Sequence, residues 1–163
     1  MAPGEYFEDL YLDSGKENIT IQSESGPEQT IINGSQTWHG TLIQLSSNYF
    51  TMDGFTIKHH TGNALVANNA QHSTFKNLTL KNNHNYTFNN STVENCLFTE
   101  NTGTLNILGS SDEWDSNIYK NVTIAGNDNS FKIQIQHQTS GISGTWFDVL
   151  FLDRKSTRLN SSH

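Results

Sequence analysis

Phe50 to His60 reads Phe-Thr-Met-Asp-Gly-Phe-Thr-Ile-Lys-His-His, and its arrangement of apolar and polar positions returns four times further along the chain. Aligned on the apolar residue after Gly54, the repeats place Phe55, Leu78, Cys96, Val122 and Val149 at one position, with Ile19 as an earlier match. Two residues later stand Ile21, Ile57, Leu80, Phe98, Ile124 and Phe151; three residues earlier stand Met52, Phe75, Val93, Tyr119 and Trp146. Alternation of this kind marks a strand with one buried face. It breaks once in every repeat, just before the aligned position, at Asn18, Gly54, Asn77, Asn95, Asn121 and Asp148. These residue types accept a left-handed backbone or hydrogen-bond it with a short side chain. Each repeat is therefore expected to be a strand that bends at that residue and keeps its apolar groups on one side.

The outward positions repeat too. Thr51, Thr74 and Thr92 form one series and Thr20, Thr56, Thr79 and Thr123 another, as suits an exposed sheet face. Where each strand ends, His60, Asn83, Asn101 and Asn127 line up. Stacked, each Asn amide is expected to bond its copies above and below, satisfying polar groups shut away from water. Successive repeats are 23, 18, 26 and 27 residues long, about one coil of a parallel β-solenoid with varied loops. A helical solenoid needs apolar residues at helical spacing and few β-branched residues, and that pattern is missing.

On these residues the chain resembles the right-handed parallel β-helix superfamily, which includes pectate lyases, polygalacturonases, other polysaccharide lyases and many non-catalytic surface proteins. The resemblance covers roughly residues 2 to 152 and is specific for the fold, not for the chemistry. It implies an all-β, right-handed parallel β-helix of about five to six coils. Ala2-Pro3-Gly4-Glu5-Tyr6 is similar to the early coil of such proteins, in which a capping helix comes first. No cap precedes it here, so the expectation is a fragment lacking caps, from an extracellular or cell-surface protein.

Charge changes the picture once the end of the chain is considered. Residues 153 to 163 match, residue for residue, the translation of a sequencing adapter, so the expected organisation is a β-helix domain over 1–152 and an artefactual, disordered tail over 153–163. Without that tail the formal net charge goes from −7 to −9 and both arginines, Arg154 and Arg158, are lost. An acidic chain without arginine is a poor partner for nucleic acid or anionic lipid. No apolar run is long enough to span a membrane. The single cysteine, Cys96, falls on an inward position and excludes an internal disulfide.

Three constellations could carry chemistry. Asp53, Lys76, Glu94 and Lys120 alternate in sign on an outward position, which cross-strand pairing explains. Trp38, His39, His59, His60, His84 and Tyr86 lie in loops or at strand ends and supply the aromatic faces and donors of a carbohydrate site. Asp112-Glu113-Trp114-Asp115 sets three carboxylates in four residues without the glycine or spacing of a calcium loop. No resident cofactor is expected, calcium being the one ion this cluster leaves open. Sequons such as Asn77-Leu78-Thr79 fall on bend, core and Thr positions, so the repeat accounts for them. No catalytic residues are assigned. The resemblance leaves three functions open: a polysaccharide- or surface-binding β-helix without an active site here, the first part of a polysaccharide lyase or glycoside hydrolase, and a structural stalk.

Overall fold

The computed structural model describes residues 1–37, 39–109, 117–137 and 146–152. Every strand pairing in it is parallel, and the chain is a right-handed parallel β-helix. Three faces run along the axis. The first is built from β3 (Thr20–Gln22), β6 (Thr51–Asp53), β9 (Thr74–Lys76), β12 (Thr92–Glu94) and the first half of β15 (Ile118–Ala125). The second holds β1 (Gly4–Tyr6), β4 (Thr30–Asn33), β7 (Thr56–Lys58), β10 (Thr79–Lys81), β13 (Leu97–Thr99) and the second half of β15. The third holds β2 (Leu10–Leu12), β5 (Thr41–Leu45), β8 (Asn63–Ala67), β11 (Asn85–Asn89), β14 (Thr104–Gly109) and β16 (Lys132–His137). β17 (Trp146–Leu152) pairs with both halves of β15. The expected bent strand is thus two short strands either side of a corner, fused into one at β15.

The core is a column inside these faces. Met52, Phe75, Val93 and Tyr119 stack from coil to coil, as do Phe55, Leu78, Cys96 and Val122, all buried. Phe75 meets Phe88 edge-on at a centroid distance of 4.8 Å, and Tyr86 meets Phe98 edge-on at 5.3 Å. Edge-to-face aromatic contact adds to the apolar area already removed from water. Burial also raises the Cys96 thiol to about 12, with its Sγ donating to the carbonyls of Glu94 and Phe75. That matches a small core residue.

One register expectation is corrected. Ile21 pairs with Met52, and Ile57 pairs with Ile32, so the strand after Asn18 lies on the first face, not the second. Asn18 is left-handed at φ 60°, but it stands level with Tyr49 at another corner. The reason is local. Asn-apolar-Thr-apolar follows any corner that leads into a short strand, so the motif alone does not say which corner.

Each coil turns three corners, and from β5 to β16 left-handed residues mark those among the described residues. Between the first and second faces they are Gly54, Asn77, Asn95 and Asn121; between the second and third, His59, Asn82, Glu100 and Gly126; before the first face, Asn18, Tyr49, His72 and Asn90. The backbone of Asp148, the last expected bend, lies within β17.

The ladder of His60, Asn83, Asn101 and Asn127 is made differently from the expectation. Oδ1 of Asn83 accepts from the His60 N–H at 2.9 Å, Oδ1 of Asn101 from the Asn83 N–H at 3.0 Å, and Oδ1 of Asn127 from the Asn101 N–H at 2.8 Å. The three Nδ2 groups donate to the carbonyls of Ile57, Leu80 and Phe98. Each amide therefore closes a corner of the preceding coil. Buried backbone groups at a turn have no sheet partner, and an inward Asn supplies both the donor and the acceptor they lack. At the corner before the first face, Ser73 and Asn117 act alike, accepting from the backbone of Phe50 and Ser91.

Candidate functional site

The corner between the first and second faces is built from two residues per coil. The second of each pair, Phe55, Leu78, Cys96 or Val122, points into the core. The first is left-handed, and where it is Asn its side chain stands out on the surface. Those outward amides bond one another along the axis: Nδ2 of Asn121 donates to Oδ1 of Asn95 at 2.8 Å, and Nδ2 of Asn95 to Oδ1 of Asn77 at 3.3 Å. The bend positions, expected only to turn the chain, thus also form an amide rail.

The rail ends on a carboxylate because Gly54 has no side chain. Nδ2 of Asn77 reaches past that glycine to Oδ1 of Asp53 at 2.7 Å. Oδ2 of Asp53 accepts from Nε2 of Gln22 at 3.3 Å and lies 3.4 Å from the Lys76 ammonium. Head-to-tail amides polarise one another, and a charged acceptor at the end strengthens the row.

A groove of about 740 Å³ follows this rail. At the Gly54 end stands the same corner of the preceding coil, the turn from Ser23 to Thr30, folded by Ser23, whose hydroxyl lies 2.6 Å from that of Thr30 and accepts from the N–H of Gly26 at 2.9 Å. Thr79 and Thr123 add hydroxyls, and Leu97 adds apolar surface. Asp53 is the one charged residue of the lining among the described residues. The charges on the outward strip beside it are paired: Lys76 with Asp53, and Lys120 with Glu94 at 3.4 Å.

The residues expected to bind carbohydrate are not gathered into one cleft. Trp38 and the Asp112 to Asp115 cluster lie outside the described residues. His39 is exposed, 3.6 Å from Asp9, in a separate depression with Tyr11 and Gln44. His59 and His84 are half-buried at the second corner, where Nδ1 of His84 lies 3.0 Å from the Thr102 hydroxyl. His60 and Tyr86 are inside the coil and cannot touch a polymer. His60 is held by Thr37 at 3.2 Å, and burial raises the Tyr86 phenol above its ordinary range. Both were placed by the local strings His-His and His-Asn-Tyr, whereas Tyr86 and Phe88 share the inward register of Leu105 and Ile107.

Two surface features carried no binding expectation. One is the amide rail; its signal is the coincidence of Asn on the bend with Thr two residues later. The other is Tyr49, half-exposed, stacked on His72 with ring centroids 5.2 Å apart. It becomes visible only when the third corner is known.

No protein-family model matches the chain, and no curated protein is significantly similar to it in sequence. Among solved structures it is similar to pectin methylesterase PemA from Erwinia chrysanthemi, with a TM-score of 0.48 and 12% identity over 91% of this chain. It is similar, too, to a pectin methylesterase variant in complex with a hexasaccharide, with a TM-score of 0.41 and 10% identity. The likeness is one of fold. This chain spans 59% of the length of each of those structures.

Proposed function

We propose that this β-helix binds polysaccharide along the railed groove without catalysing its breakdown, as part of an extracellular or cell-surface protein. The observation that carries the reading is the groove itself: an open channel parallel to the solenoid axis, floored by amides repeating once per coil at ~4.8 Å. A polymer with hydroxyls at regular intervals meets a donor and an acceptor at each step, with leucine surface for its C–H faces. Binding without turnover is favoured over lyase or hydrolase chemistry by the lining, since acid–base work on a glycosidic bond calls for two carboxylates or a carboxylate and a base. Among the described residues Asp53 is the one carboxylate of the lining, and it is committed to Asn77, Gln22 and Lys76.

The test is affinity electrophoresis through gels containing soluble polysaccharides, comparing the native protein with Asn95→Leu. Retardation of the native protein and loss of it in the variant supports the reading. Equal mobility of both in every polysaccharide gel contradicts it.

A further inference from the structure

Resting on that reading, we infer that the groove selects an uncharged, hydroxyl-rich glycan and rejects uronate or sulfated chains. The lining, among the described residues, contains no lysine, arginine or histidine, and its single charge is the Asp53 carboxylate. The nearest cations do not supply the missing charge. Lys76 is turned to Asp53 and Lys120 to Glu94, both at 3.4 Å on the outward strip beside the groove. A further pair, Lys58 with Glu5 at 2.9 Å, lies on the second face away from the lining.

The rail makes the same selection through its hydrogen bonds. An amide carries two N–H donors and two acceptor lone pairs. Asn95 uses one of each along the rail, donating to Asn77 and accepting from Asn121, and so offers one N–H and one lone pair to the groove. A sugar hydroxyl donates and accepts and can use both. A carboxylate or sulfate only accepts; it leaves the amide oxygens unmatched and sets its charge beside Asp53, whose one cation, Lys76, is already paired with it. Like charges brought together in a partly desolvated groove cost more than they would in open water. A calcium bridge is the usual escape for an acidic polymer on an acidic surface, but among the described residues no three His, Cys, Asp or Glu side chains converge to hold an ion.

The experiment uses isothermal titration of the full chain with neutral glucan, mannan and galactan oligosaccharides, and with the chain that binds after its primary alcohols have been oxidised to carboxylates. At low salt, oxidation is expected to weaken binding about fivefold or more. Asp53→Asn, which keeps an acceptor for Asn77 and releases Lys76, is expected to erase most of that difference; circular dichroism checks that the variant stays folded. If the oxidised chain binds the native protein as well as the neutral one or better, with or without added calcium, the selection is overturned and the polysaccharide reading survives. If no neutral or oxidised chain binds, both are overturned.

Discussion

The Tyr86 hydroxyl donates to Oδ1 of Asn101 at 2.6 Å, tying the third face of one coil to the corner of the next. The same hydroxyl accepts from Nδ2 of Asn83 at 2.9 Å, so it joins two rungs of the inward ladder. Tyr86→Phe keeps the ring and its edge contact with Phe98 but removes that junction. The expected loss is about 1–3 kcal/mol, read as a shift in urea midpoint without a change in slope. Asn83→Ala strips partners from two buried backbone groups, the His60 N–H and the Ile57 carbonyl, and is expected to cost more, roughly 2–5 kcal/mol.

At the corner, the left-handed backbone can be separated from the rail. Asn121 has φ 51°, and both Asn121→Gly and Asn121→Val delete its bond to Asn95. Only valine also opposes the backbone conformation. The valine variant should be less stable than the glycine variant by about 1–2 kcal/mol in equilibrium unfolding. Equal stabilities would show that the corner relaxes away from the left-handed region.

Cys96 supplies a probe of opening. With its thiol buried and pushed up to about 12, the native protein should resist a thiol reagent at mildly alkaline pH. Labelling should appear in step with unfolding as denaturant rises. Fast labelling in the absence of denaturant would mean that the corner at Cys96 opens locally.

Acid acts on the second face through Glu5. Hydrogen bonds from Lys58 and Asn33 hold its carboxyl below the ordinary value of 4.5. A carboxylate depressed in the folded state stabilises the fold above its unfolded pKa, and the contribution fades as pH falls through the folded pKa. Lys58→Met should therefore lower the thermal midpoint at neutral pH, and the gap to the native protein should close as pH drops below the ordinary glutamate range. A gap independent of pH would assign the effect to the lysine stem. The pair is partly exposed, so the shift should also shrink with salt.

How much the sequence revealed depended on whether a position repeats in type as well as in place. The inward columns through Phe55 and Met52 repeat in both, and their alternation specified the coils, their lengths and the burial of Cys96. The ladder of Asn83, Asn101 and Asn127 repeats in both as well, yet its bonding differed, because spacing shows that side chains stack and not whether they reach each other or the backbone. The third corner carries Asn18, Tyr49, His72 and Asn90, four positions of mixed type with one backbone geometry, and sequence gives no common signal for it. Asn18-Ile19-Thr20-Ile21 reproduces Asn77-Leu78-Thr79-Leu80 type for type and still belongs to another corner, because register comes from the neighbouring coil and not from the motif. His60 and Tyr86 read as surface groups for a related reason: a polar residue next to a turn looks the same whether it faces in or out.

The central claim is that the amide rail is where a polysaccharide lies. The most direct measurement is a two-dimensional NMR titration of the isotope-labelled protein with a neutral oligosaccharide that binds it, following the side-chain amide signals. The account predicts that the Asn77, Asn95 and Asn121 amides shift together and saturate with one affinity, while Asn83 and Asn101, closed inside the coil, hardly move. Shifts centred on Tyr49 and His72, or around His39 and Tyr11, with the rail unmoved, would contradict it.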